Sequence, residues 1–115
     1  MILSLDHQQR LNLIVLLGMQ ECNVRETRAV WRLQDVLDLD DAEKREVGFS
    51  LQTINGSEVF QWDRTKSLPA REYELSEADA ARIQRAVLAC SRLVPGLTRQ
   101  WLEPLLAQLP EAVQL

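Results

Sequence analysis

Few residues in this chain could carry covalent or metal chemistry. His7 is its one histidine, and Cys22 and Cys90 are its two cysteines, so a thiol nucleophile activated by an imidazole base has one candidate pair, Cys22 with His7. No sequence pattern links the two. The expected arrangement is a surface histidine on an early helix turn among Asp6, Gln8 and Gln9, with Cys22 and Cys90 as small buried hydrophobes. One histidine and no Cys-x-x-Cys pair do not suggest a zinc site, and two distant cysteines do not suggest a disulfide framework. No serine sits in a nucleophile elbow. The glycines at 18, 48, 56 and 96 are scattered as punctuation, so neither a phosphate loop nor a dinucleotide fingerprint is present. The expectation is a protein that is not an enzyme, with no catalytic, cofactor-binding or metal residues and no cofactor.

The charged residues offer two further patterns. Asp35, Asp38, Asp40, Asp41, Glu43 and Glu46 form an acidic run without the alternating oxygen ligands, central glycine and closing glutamate of a calcium loop. Two of them serve as helix caps, and the run is expected to be a solvated acidic turn. Arg25, Arg28 and Arg32 fall on one side of a helix with Trp31 at their edge. Because Arg and Trp are both enriched at binding hot spots, Arg25, Arg28, Trp31 and Arg32 are the predicted protein-binding site. A competing reading packs Trp31 beneath the C-terminal helices and pairs the arginines with nearby carboxylates. Arg82, Arg85 and Arg92 form a second basic stripe, expected to be a solvated face.

The elements that must position these residues follow from local signals. Ser4 is placed to cap a first helix whose segment Leu11 to Leu17 is apolar on almost every side, so that helix should be central and end at Gly18. Asn23 to Glu26 has capping-box form and should open a second helix running to about Leu37. On it Val30, Leu33 and Leu37 lie within about 60° of one another and mark the buried stripe. Asp40 to Glu43 repeats the capping logic for a short third helix through about Val47, closed by Gly48.

Asn55-Gly56 then suits a type I′ turn, which pairs Ile54 with Ser57, Thr53 with Glu58, Gln52 with Val59, Leu51 with Phe60, Ser50 with Gln61 and Phe49 with Trp62. Phe49, Leu51, Phe60 and Trp62 share one face, and either the first helix or the helix opening at Ser76 must cover it. Asp63 to Arg71 is a loop containing Pro69, and Glu72 to Leu75 is a candidate third strand. From Ser76, Ala80, Ile83, Val87, Cys90 and Val94 keep one helical face. Pro95-Gly96 breaks that helix. Leu97 to Leu109 resumes the pattern, starting late or kinking at Pro104, and Pro110 ends it.

The fold class is therefore α+β, with three N-terminal helices, a wing-like hairpin, a third short strand and two C-terminal helices in a single domain spanning 1–115. Of 115 residues, 46% are hydrophobic and the net charge is −4, which supports a core and supplies no overall cationic attraction to nucleic acid or an anionic membrane. Met1 to Leu5 runs at once into the polar Asp6 to Arg10 without signal-peptide form, and no apolar run reaches membrane-spanning length, so the default expectation is cytoplasmic.

Three helices and a wing also define winged-helix DNA-binding domains, where the third helix enters the major groove. Here that helix would carry Asp40, Asp41, Glu43 and Glu46 against Lys44 and Arg45, and Phe49 to Trp62 holds no Lys or Arg. Both argue against a DNA partner.

Arg10 with Leu11 to Leu17, the Val59-Phe60-Gln61-Trp62-Asp63 end of the hairpin, and Tyr73-Glu74-Leu75-Ser76-Glu77 resemble segments of short uncharacterised proteins encoded by tailed phages and prophages. The resemblance covers most of the chain and implies a small accessory protein. It carries over no catalytic or ligand residues. The functional expectation is a non-enzymatic protein-binding accessory or regulatory module acting through Arg25, Arg28, Trp31 and Arg32 or through an open strand edge, with self-association as the fate of any apolar face left open. A winged-helix nucleic-acid binder is the alternative.

Overall fold

A computed structural model describes residues 1–20, 22–63, 65–66, 68–89 and 95–109. The elements are β1 (Ile2–Leu5), α1 (His7–Gly18), α2 (Val24–Leu37), α3 (Asp41–Glu46), β2 (Ser50–Ile54), β3 (Ser57–Gln61), β4 (Arg71–Glu74), α4 (Glu77–Ala89) and α5 (Pro95–Leu106). The chain mixes helix with two small antiparallel sheets, one of β1 and β4 and one of β2 and β3. The expected order is corrected at its start, where a strand precedes the three helices.

That strand also displaces the expected helix cap. Ser4 lies in β1, where Leu3 and Leu5 are fully buried. β1 pairs with β4 in the register Ile2↔Glu74 to Leu5↔Arg71. The third strand foreseen near Glu72 therefore joins the N-terminus and not the hairpin. With residues 2–5 extended, the capping role passes to Asp6. Its carboxylate accepts from the Gln9 amide at 2.8 Å, while the Gln9 side-chain oxygen accepts from the Asp6 amide at 3.0 Å, a capping box that satisfies two first-turn donors. The outer edge of β1 is closed by a side chain. Gln108 Nε2 donates to the Ser4 carbonyl at 2.9 Å and its Oε1 accepts from the Ser4 amide at 2.7 Å, as a neighbouring strand would.

α1 is central, as its apolar sequence requires: it packs on α2, α4, α5 and β1. Leu13, Leu16 and Leu17 join Leu33 and Leu37 of α2, Ile83 and Val87 of α4, and Trp101 and Leu105 of α5 in the main core. Each such side chain contributes about 1.5–3 kcal/mol through burial. On α2 the buried residues are Val30, Leu33 and Leu37, the predicted stripe. Ser76 Oγ accepts from the Asp79 amide at 3.1 Å at the start of α4. α5 begins at Pro95 and runs through Pro104, so it does not start late. The expected positions of Cys90, Arg92, Val94 and Pro110 lie outside the described residues.

The hairpin register from Ser50↔Gln61 to Ile54↔Ser57 is the predicted one, and Asn55 and Gly56 take φ of 51° and 80°, as a type I′ turn demands. Its base is tied to the end of α3 by Phe49 N donating to Lys44 O at 2.8 Å and Asp63 N donating to Val47 O at 2.7 Å. A second apolar cluster of Leu11, Leu39 and Val47 takes up Phe49, Phe60 and Trp62. The aromatic face is thus covered through α1 and the α3 region, while Leu51 stays 52% exposed.

Candidate functional site

α2 positions the predicted interaction residues. Asn23 caps it by accepting from the Glu26 amide at 2.9 Å, and its buried stripe fixes the roll of the helix. At 100° per residue Val24, Arg28 and Trp31 then project from the opposite side, flanked by Arg25 and Arg32. All five are exposed, with Trp31 at 60% and Val24 at 73%. Trp31 does not pack beneath the C-terminal helices. That place in the core belongs to Trp101, which is 5% exposed.

Nor, among the described residues, do the arginines pair with nearby carboxylates. Among the described residues, no ion pair within 4 Å involves Arg25, Arg28 or Arg32. Two neighbouring acids are engaged elsewhere. Glu26 is gripped by Arg82 at 3.1 and 3.2 Å, with Arg85 at 3.6 Å; the Arg82 hydrogen bonds hold its carboxyl below the usual range. Asp38 faces Lys44 at 3.6 Å. The expected solvated stripe on α4 is therefore corrected at Arg82. Its side chain is largely covered and clamps α4 to α2 through Glu26 while also holding Asp79 at 2.7 Å. Arg85 is exposed as expected.

The acidic run is likewise not wholly solvated, because Glu43 meets a buried cation that the sequence did not flag as one. Arg10, 1% exposed, donates from Nη1 to Glu43 Oε2 at 2.7 Å and from Nη2 to Oε1 at 3.1 Å. Its Nε and Nη2 also donate to the carbonyls of Leu37 at 2.9 Å and Asp38 at 2.7 Å. The guanidinium lies 5.7 Å from the Tyr73 ring centroid. Burial is the largest influence on Arg10 and opposes its charge, but the Glu43 hydrogen bond together with the charge interactions of Tyr73, Glu43 and Asp40 outweighs it and raises the Arg10 pKa, while the Arg10 hydrogen bond pushes Glu43 down to about 2. Burial raises Tyr73. This cluster joins α1 to the end of α2 and to α3. Its one sequence signal is a single Arg directly preceding the apolar segment Leu11 to Leu17 of α1.

Cys22 and His7, the candidate nucleophile and base, reverse their expected environments. Cys22 is exposed, and its Sγ lies 3.3 Å from Thr27 Oγ1 beside a pocket of about 160 Å³ that Glu26, Arg82 and Arg85 also line. His7 is buried, accepts at Nδ1 from the Leu68 amide at 3.4 Å and meets the Trp62 ring edge-on. His7 opens α1 and Cys22 lies beyond its end, so the roughly 16 Å length of the helix separates them and they form no dyad. Among the described residues, no three His, Cys, Asp or Glu side chains gather as a metal would require, and no helix is long and apolar enough to cross a membrane. No protein-family model, curated protein or solved structure matches the chain.

Proposed function

We propose that this chain is a non-enzymatic protein-binding accessory or regulatory module of the phage or prophage type, which docks an acidic surface of a partner protein on the outer face of α2. The observation that carries this reading is Trp31, 60% exposed beside three arginines that make no ion pair within 4 Å among the described residues. Trp and Arg are the residue types that supply most binding energy when desolvated by a partner. A carboxylate-bearing surface would complement a local cluster of positive charge on a chain whose net charge is −4.

The winged-helix nucleic-acid reading has less support. α3 sets Asp41, Glu43 and Glu46 against Lys44 and Arg45, and strands β2 and β3 carry no Lys or Arg. A helix of that composition would repel phosphate at the major groove.

Titration of labelled duplex DNA at low and moderate salt separates the two readings. The protein-binding reading expects weak binding at low salt that disappears at moderate salt. Tight binding with a steep salt slope that survives at moderate salt overturns it.

A further inference from the structure

We infer that the open edge of β2 pairs with the β2 strand of a second copy of this chain, antiparallel and centred on Gln52, to make a four-stranded sheet. In a two-residue hairpin the closing pair, Ile54 with Ser57, exchanges both backbone hydrogen bonds, and alternate pairs follow. With the observed register, Gln52 and Ser50 also bond inward to β3. Leu51 and Thr53 therefore direct their N–H and C=O outward, and among the described residues nothing meets them.

A two-fold axis at Gln52 places Leu51 opposite Thr53 of the second copy and Thr53 opposite its Leu51. Both are hydrogen-bonding positions, so the edge satisfies itself with four backbone hydrogen bonds. This is the self-complementary arrangement that a two-fold interface requires.

Charge and apolar exposure favour a second copy as the occupant. Two chains of net charge −4 repel, yet Ser50 to Ile54 is wholly uncharged, so the pairing brings no like charges opposite one another. All five residues are exposed, with Leu51 at 52% and Ile54 at 46%. The strand has no lysine, proline or inward charge of the kind that blunts free edges. The contrast with β1 is direct, since its outer edge at Ser4 is occupied by the Gln108 amide. A five-residue edge buries less than the ~1,200 Å² of a standard interface, so the dimer is a weak one that forms as concentration rises.

The test uses the full chain with Cys22→Ser as background. Sedimentation across the micromolar to millimolar range should show mass rising from 13.2 kDa toward twice that value, and Leu51→Lys, which adds a charge to the edge without touching the core, should hold the chain monomeric. Under mild oxidation, Gln52→Cys should give a disulfide-linked dimer beyond that of the background chain. Ile54→Cys should not, because residue 54 of each copy lies about 13 Å from its counterpart in this register. A monomer throughout, equal dimerisation of the Leu51→Lys chain, or equal cross-linking at 52 and 54 overturns the inference. None of these outcomes bears on the α2 face.

Discussion

Arg10 and Glu43 meet through two parallel contacts of 2.7 and 3.1 Å, on a guanidinium that is 1% exposed and a carboxylate side chain that is 13% exposed. The fork geometry and the two carbonyls that Arg10 also reaches leave no buried charge uncompensated on either partner. Such a pair specifies geometry more than it adds net stability, because desolvation offsets much of the attraction.

Removing one partner is another matter. Arg10→Ala leaves the carbonyls of Leu37 and Asp38 unpaired and leaves Glu43 with only the Asp40 amide at 3.1 Å and the half-exposed Arg71 at 3.4 Å, and should cost about 3 kcal/mol in urea denaturation. Arg10→Met combined with Glu43→Leu removes both charges and should recover much of that loss. If Arg10→Ala cost no more than an ordinary surface substitution, the buried position of Arg10 would be wrong.

Glu43 titrates far below an ordinary glutamate, at about 2 against 4.5. Between these values the unfolded chain binds the proton and the folded chain does not. The stability that ionised Glu43 gives relative to its protonated form is therefore complete above about pH 4.5 and lost as pH falls toward 2, with a total of up to about 3 kcal/mol. Urea midpoints measured down this range should fall, and Glu43→Gln should flatten the slope. Part of the slope should remain, because Glu26 is shifted in the same direction by Arg82.

Gly48 holds φ of +63° where α3 passes into the hairpin, and a Cβ there would meet Asp63 Cβ at an ordinary 3.8 Å. Gly48→Ala should therefore lose only the conformational term, about 1 kcal/mol, in thermal or urea unfolding. A neutral result would show that the chain can turn there without the left-handed conformation.

The two tryptophans Trp31 and Trp101 should separate stability from binding. Trp101→Ala empties part of the core and should cost about 3–5 kcal/mol. Trp31→Ala should stay within about 0.5 kcal/mol of the parent chain, as exposed sites do. Urea titrations of both variants check this, and a large loss from Trp31→Ala would mean that the residue is structural.

What could be read in the sequence was what local chemistry decides. Asn55-Gly56 sets the hairpin register by φ alone, and the spacing of Val30, Leu33 and Leu37 sets the roll of α2 and hence the exposure of Arg25, Arg28 and Arg32. What could not be read depends on partners far along the chain. Ile2 to Leu5 is too short to declare itself a strand, since its partner β4 lies some seventy residues away, and Ser4 and Asp6 are equally good caps until that pairing is known. The environments of His7, Cys22 and Arg82 are not legible for the same reason, because the burial of a single polar residue is decided by what packs over it. Trp31 left two readings open on sequence, and the placement of Trp101 in the core leaves it outside.

Photo-cross-linking from residue 31 tests the central claim most directly. A benzophenone amino acid replacing Trp31 should capture a discrete protein partner whose cross-linked peptide is rich in Asp and Glu. Capture should be lost in Arg28→Glu/Arg32→Glu and absent when the probe replaces exposed Arg99. Equal capture from both positions, capture that survives the double charge reversal, or no capture at all from residue 31 contradicts the assignment of α2 as the binding face.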